Sequence, residues 1–249
     1  MKLIINADDF GYSRGINFGI LDAYQFGVVR SCSIMANMPA FDHAVQLAGD
    51  NPGLGIGVHL NLTCGKPLTD AGELTGPDGL FRRKDDLFPS IGEVPCEVIE
   101  AEWEAQIEKV KGSGVNPDHL DSHHHVHMLR PVLPTFLKLA GKYNLPVRLF
   151  GREYLPGEYK DIVSPDRFSG DFHGKGAAVD TILKLVDENK TGCLEIMCHP
   201  GYLDETILKE SGYSMPRPHE LHQLTSSDLI TKLQEKEVQL VTFSQLDKG

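Results

Sequence analysis

The order in which apolar runs recur constrains the fold of this chain more than any single motif. Short β-branched or apolar runs at residues 3–6, 31–35, 55–59, 118–122, 147–150, 194–198 and 239–242 are strand candidates. Between them, apolar residues recur at helical spacing over 16–26, 41–48, 93–111, 131–143, 177–188 and 227–234. Residues 93–111 are also charged, which predicts a long surface helix. Pro131 suits a first helical turn, where its missing N–H costs nothing, and Ser226 is placed to cap the last helix. Repeated strand-then-helix order implies a parallel sheet with helices outside it. About seven such units in 249 residues predict a closed or nearly closed β/α barrel, with a doubly wound open sheet as the alternative. No linker, composition break or internal repeat divides the chain, so residues 1–249 are expected to form a single domain. Three long connections, 61–92, 151–175 and 201–225, carry Arg, Tyr, Phe and His and are expected to face substrate.

Composition enters by exclusion. The formal net charge of -11 argues against nucleic acid, whose binding rests on Lys and Arg neutralising phosphates. Cys32, Cys64, Cys96, Cys193 and Cys198 are irregularly spaced with no Cys-x-x-Cys pair, which reads as reduced thiols. No stretch approaches the ~20 apolar residues of a membrane span, and the first apolar run meets two aspartates at once, so no signal peptide fits there. A cytoplasmic chain with no membrane partner is the expectation. Oligomeric state is not legible, and a homodimer is allowed.

The chemistry collects just past the predicted strands. Asp8-Asp9 follows the first, and His59 ends the third. Asp121 and His123 lie at the end of the fourth, within His119-Leu120-Asp121-Ser122-His123-His124-His125-Val126-His127, and His199-Pro200-Gly201 follows the sixth. In β/α barrels the βα loops converge at that face, so these distant residues are expected to meet. Ordinary alternatives exist for each: a solvated turn for Asp8-Asp9, a core histidine for His59, a turn histidine for His199. The nine-residue run holds five of eleven histidines, too dense for packing alone. Imidazole is the commonest metal ligand, and a catalytic metal takes three protein ligands and keeps a position open. One or two ligands are therefore expected from the run. On a helix His123 and His127 would share a face; on a strand His119, Asp121, His123, His125 and His127 would. One of the paired aspartates can bind metal while the other acts as a base, and the position of His199 suits a general acid. An Asp/His set suits zinc, manganese, iron, cobalt or nickel, and magnesium if waters complete the shell. These ligand types do not select one metal; a single divalent ion, magnesium or zinc, is the expectation.

The stretches Asn6-Ala7-Asp8-Asp9-Phe10-Gly11, Gly57-Val58-His59-Leu60, the nine-residue histidine run and Met197-Cys198-His199-Pro200 resemble, in order and across the whole chain, those of the YdjC-like carbohydrate deacetylases. The resemblance implies a deformed, TIM-like (β/α) barrel related to polysaccharide deacetylases. It implies a metal triad of Asp9, His59 and His123, with Asp8 as catalytic base and His199 as acid. It also implies removal of the acetyl group from N-acetylglucosamine units of small chitin-derived oligosaccharides, phosphorylated or not. Tyr213-Ser214-Met215-Pro216-Arg217 resembles a family segment near the site, which offers Arg217 as a substrate or carboxylate partner. In the mechanism this suggests, Asp121 fixes an imidazole tautomer, and His125 and His127 join it as supporting or substrate-binding groups. The rival readings are a metal-dependent phosphoesterase and a non-enzymatic sugar-binding protein with a structural metal.

Overall fold

The first strand shows how the sequence builds the molecule. Leu3, Ile4 and Ile5 are all fully buried, the continuous apolar run of a parallel strand covered on both faces. From Asn6 onward the run alternates, and polar side chains fall on one face. The computed structural model describes residues 1–151 and 155–246. Its strands are β1 (Lys2–Phe10), β2 (Ser31–Ile34), β3 (Gly55–Leu60), β4 (Leu120–Ser122), β5 (Arg167–Ser169), β6 (Cys193–Cys198) and β7 (Gln239–Leu240). The helices are α1 (Arg14–Gln25), α2 (Phe41–Asp50), α3 (Lys84–Leu87), α4 (Cys96–Gly112), α5 (Leu133–Tyr143), α6 (Val179–Glu188), α7 (Glu205–Glu210), α8 (Arg217–Leu224) and α9 (Ser227–Glu235). None is long and apolar enough to cross a membrane.

All strand pairings are parallel, in the order β4-β3-β2-β1-β6-β5, with β7 beside the start of β1. The sheet is thus a deformed barrel wall of seven parallel strands. Register decides what faces inward. Asn6 pairs with Ser31, Ser33 with Gly57, His59 with Asp121, and Ile4 with Glu195. Neighbours in register share a face, so Asn6, Asp8, Ser33, His59, Asp121 and Glu195 all point to the inside. The opposite face, with Leu3, Ile5, Ala7, Val58 and Ile196, packs under the helices in the main apolar core. Below the polar residues a smaller cluster of Ile4, Cys193, Val241 and Phe243 forms a floor. The His119 ring lies on Phe243, centroids 3.8 Å apart. It passes so close to Gly57 that a Cβ there would sit 2.3 Å from it.

Four expectations need correction. Residues 147–150 form no strand: Arg148 N donates to Leu120 O and Val147 N to Val163 O, after which the segment leaves the sheet. That irregular segment stands between β4 and β5, where regular pairing would have closed the barrel. The connection 151–175 contains β5, and 201–225 contains α7 and α8; residues 152–154 lie outside the described residues. The long helix α4 is not simply a surface helix, because Glu102, Trp103 and Gln106 are fully buried. Glu102 accepts from Leu68 N, Thr69 N and Thr69 Oγ1, while Gln106 bonds both Asn61 N and Asn61 O. Its inner face therefore pins the connection after β3 instead of packing only apolar groups. Ser226 precedes α9 in extended conformation, but its hydroxyl makes no capping bond.

Candidate active site

The adjacent aspartates at the end of β1 are aimed apart by the backbone. Asp9 has φ 74, left-handed geometry uncommon outside glycine. Gly11, at φ 93, continues the sharp exit into α1, and a side chain there would meet Met35 O at 3.1 Å. Asp8 therefore points into the barrel, and Asp9 sits across the mouth from it. Each carboxylate has its own guanidinium. Arg148 grips Asp8 with two bonds, Nη1 to Oδ2 and Nη2 to Oδ1, both 2.7 Å. Arg217 Nη2 donates to Asp9 Oδ2 at 2.5 Å. Burial opposes ionisation of both acids. Arg148 and then His59 outweigh it at Asp8, and Arg217 and then His123 at Asp9, so both carboxyls are held below the usual range.

The imidazole of His59 stands between them. Its Nδ1 contacts Asp121 Oδ1 at 2.8 Å, leaving Nε2 facing Asp9 Oδ1 at 3.5 Å and Asp8 Oδ2 at 4.0 Å. Asp121 is fixed in turn by Ser33 Oγ at 2.9 Å and Arg148 Nη1 at 3.1 Å. A carboxylate on one ring nitrogen sets the tautomer and aims the other, the arrangement common behind metal-bound histidines. Burial opposes the imidazolium, but Asp121 and then Asp8 prevail and raise the His59 pKa.

The histidine run follows neither of the two geometries considered for it. It begins in β4 and turns through a kinked 3-10 segment, His123–Met128, in which His124 and His125 take φ of 55 and 53. The kink separates the histidines by role. His123 Nδ1 lies 3.0 Å from Asp9 Oδ1. His125 faces the aromatic rings of Phe150 and Phe168. His127 is fully buried, with Nδ1 on Ser122 Oγ at 2.5 Å and Nε2 3.2 Å from Arg148 O, so it pegs the backbone of Arg148 from below. His119 belongs to the floor.

Two clusters have the composition of a metal site: Asp9, His59 and His123, and Asp8, His59 and Asp121. In the second, both carboxylates already accept strong bonds from Arg148. In the first, Asp9 Oδ1 is buried and faces only imidazole nitrogens, His123 Nδ1 at 3.0 Å and His59 Nε2 at 3.5 Å, with one ligand atom from each residue within 4.8 Å of the others. One carboxylate oxygen and two imidazoles suit a divalent cation with open positions. The residues present fit the group.

His199, in the turn after β6, closes the opposite side. Its backbone N–H donates to Glu220 Oε2 at 2.5 Å, and its ring meets His173 and Tyr213 at 5.5 Å and 5.3 Å. Its Nδ1 is buried and unpartnered. Burial pushes its pKa down to about 3. Tyr213 stacks on His173 at 4.1 Å and donates to Glu220, while Arg217 Nε donates to Tyr213 O at 2.6 Å. Arg217 is 2% exposed, so it is not a solvated loop residue.

Sequence reasoning missed Arg148, Glu195, Ser33 and Glu220. Arg148 Nε donates to Glu195 Oε1 at 2.7 Å, so one guanidinium binds three buried carboxylates. Burial nevertheless raises Glu195 to about 7 against the pull of Arg148. The available signal was a charged residue flanked by apolar ones, in Val147-Arg148-Leu149 and Leu194-Glu195-Ile196. Such a residue must be paired or exposed.

The model of the family described as YdjC-like protein matches residues 2–235. The chain belongs to this family. A carbohydrate deacetylase of Brevibacillus brevis is 45% identical over 99% of this chain and 100% of its own length. One of Geobacillus stearothermophilus is 43% identical over 98% of each. Among solved structures, a putative cellobiose-phosphate cleavage protein from Enterococcus faecalis V583 superposes with a TM-score of 0.89, at 36% identity over 97% of both chains. The peptidoglycan deacetylase PdaC from Bacillus subtilis, at 14% identity and a TM-score of 0.51 over 98% of this chain and 88% of its own, shares the fold alone. The YdjC-like chain is accordingly a hydrolase, a deacetylase.

Proposed function

We propose that this deacetylase removes the N-acetyl group from N-acetylglucosamine units of small chitin-derived oligosaccharides, releasing acetate, and that it depends on one divalent ion, zinc or magnesium. The observation that carries the reading is the unlike treatment of two neighbouring carboxylates. Asp9 turns one oxygen to the imidazoles alone, His123 Nδ1 at 3.0 Å and His59 Nε2 at 3.5 Å, while both oxygens of Asp8 are locked by Arg148, 4.0 Å from the same Nε2. One oxygen of Asp9 is thus set among imidazoles that can share a cation with it, and Asp8 is held ready for a proton.

An ion held by Asp9, His59 and His123 would supply Lewis-acid polarisation of the acetyl carbonyl and acidify a bound water. The rest falls to side chains. Asp8, kept ionised and oriented by Arg148, takes the proton of the attacking water. His59 is held in one tautomer by Asp121, so its Nε2 stays directed at the reaction. His199 donates to the leaving amine. Because burial lowers its pKa to about 3, it rests neutral, and the proton it passes to the amine is the one Asp8 has taken from the water. Arg217 fixes the second oxygen of Asp9. The proposed substrate is a small sugar, with a homodimer allowed.

The test is acetate release from diacetylchitobiose and its phosphate by metal-stripped protein, restored one ion at a time, with phosphate release followed in parallel. Metal-dependent acetate release is the expected result. Phosphate release without acetate would favour a phosphoesterase. Neither product with metal bound would favour a sugar-binding protein.

A further inference from the structure

The chemistry above leaves an aromatic surface unexplained. Phe150, two residues beyond Arg148, is 45% exposed. Its ring packs against Phe168 of β5, centroids 5.2 Å apart and tilted by 36°. His125 meets both rings edge-on, at 5.3 Å and 5.5 Å. His125 Nδ1 is buried and has no hydrogen-bond partner. Arg148 Cζ lies 5.1 Å from the centroid of Phe168, and the same guanidinium grips Asp8. The surface is therefore a single side chain away from the proposed base.

We infer that Phe150, Phe168 and His125 form a binding subsite for a pyranose ring, the sugar unit next to the one that loses its acetyl group. A pyranose offers an apolar face of polarised C–H groups, which stacks on the electron-rich face of an aromatic ring. Its edge carries hydroxyls, which at this half-exposed platform keep water as a partner while the C–H face covers the rings. Apolar walls with a few convergent polar atoms are what a small-ligand site requires. An anionic group fits poorly, because the guanidinium touching this platform is already committed to Asp8, Asp121 and Glu195. The left-handed backbone at His125 follows from the same role: the kink turns its ring away from His123 and onto the two phenylalanines. The inference rests on the deacetylase reading only for which sugar unit reacts.

The experiment compares kcat/KM for acetate release from diacetylchitobiose and from N-acetylglucosamine in wild type, Phe150→Ala and Phe150→Tyr. Calorimetry measures equilibrium binding of the disaccharide to the same three proteins. The subsite requires the disaccharide-to-monosaccharide ratio to fall about tenfold in Phe150→Ala and to return in Phe150→Tyr, with disaccharide affinity moving in parallel. An unchanged ratio, or a tyrosine variant as poor as the alanine one, overturns it while leaving the deacetylase reading intact. Phe150-dependent binding without acetate release upholds the subsite and overturns the deacetylase reading. Neither binding nor release by wild type overturns both.

Discussion

Asp8 and Asp9 are adjacent in sequence and both buried on a guanidinium, yet they are aimed apart and differ in their imidazole contacts, and substitutions can separate them. Asp8→Asn keeps the shape and removes the proton acceptor, so turnover should fall about 10²–10⁴-fold, with bound metal unchanged by elemental analysis. His59→Ala and His123→Ala should lose metal as well as turnover. Asp121→Asn, which contacts His59 only on its far nitrogen, should weaken metal affinity about 10–100-fold, measured by competition with a chelating dye. Arg148 poses a question of stability. Arg148→Met leaves Asp8, Asp121 and Glu195 buried without their shared cation, and removing one partner of a buried ion pair costs about 3–5 kcal/mol. Urea unfolding should show that loss before any assay does. The paired aspartates and His59 stand out in the sequence because they lie at the ends of predicted strands, and His123 because of the histidine run around it. Arg148 shows only as a charge between Val147 and Leu149, and that pattern cannot reveal that its guanidinium serves three strands at once.

Elements carry the second level of control, chiefly through close approach. Helix α1 lies so near the turn after β6 that a Cβ on Gly19 would come within 2.4 Å of Gly201 Cα. Gly19→Ala should therefore displace the His199-Pro200-Gly201 turn. The expected outcome is a clear fall in kcat with far-ultraviolet circular dichroism unchanged; a fully active variant would show that the turn can yield. The strand-helix alternation was legible because parallel strands are apolar on both faces and the main helices are amphipathic. The short helices α7 and α8 were not, because Glu220 and Arg217 are buried by pairing with the site instead of by apolar pattern. The segment 147–150 misled for a related reason. It has the composition of a strand, but it makes ladder bonds at Val147 and Arg148 and then departs.

At the scale of the whole molecule, the buried imidazoles set the response to acid. Burial lowers His125 to about 4, His199 to about 3, and His127 well below its ordinary value of 6.5. In each case the unfolded chain binds the proton more readily. Their contribution is thus present above pH 6.5 and lost as the pH falls toward the folded values. Glu195 and Glu220, both raised to about 7 by burial, act in the opposite sense between 4.5 and 7. Three imidazoles outweigh two carboxyls in the shared window, and below 4.5 the depressed carboxyls of Asp8, Asp9 and Asp121 act in the same sense as the imidazoles. The thermal midpoint should therefore fall on acidification from pH 7 to 4, most steeply below about 4.5; a flat profile by differential scanning calorimetry would contradict this. Strand β1 has a different bearing on the same molecule. It pairs with β2, β6 and β7 and carries Asp8 and Asp9 at its end. Amides of such a central strand exchange with solvent only when the whole domain opens. Asp8 and Asp9 therefore have no local route to disorder, and on heating, activity and native structure should disappear in one transition.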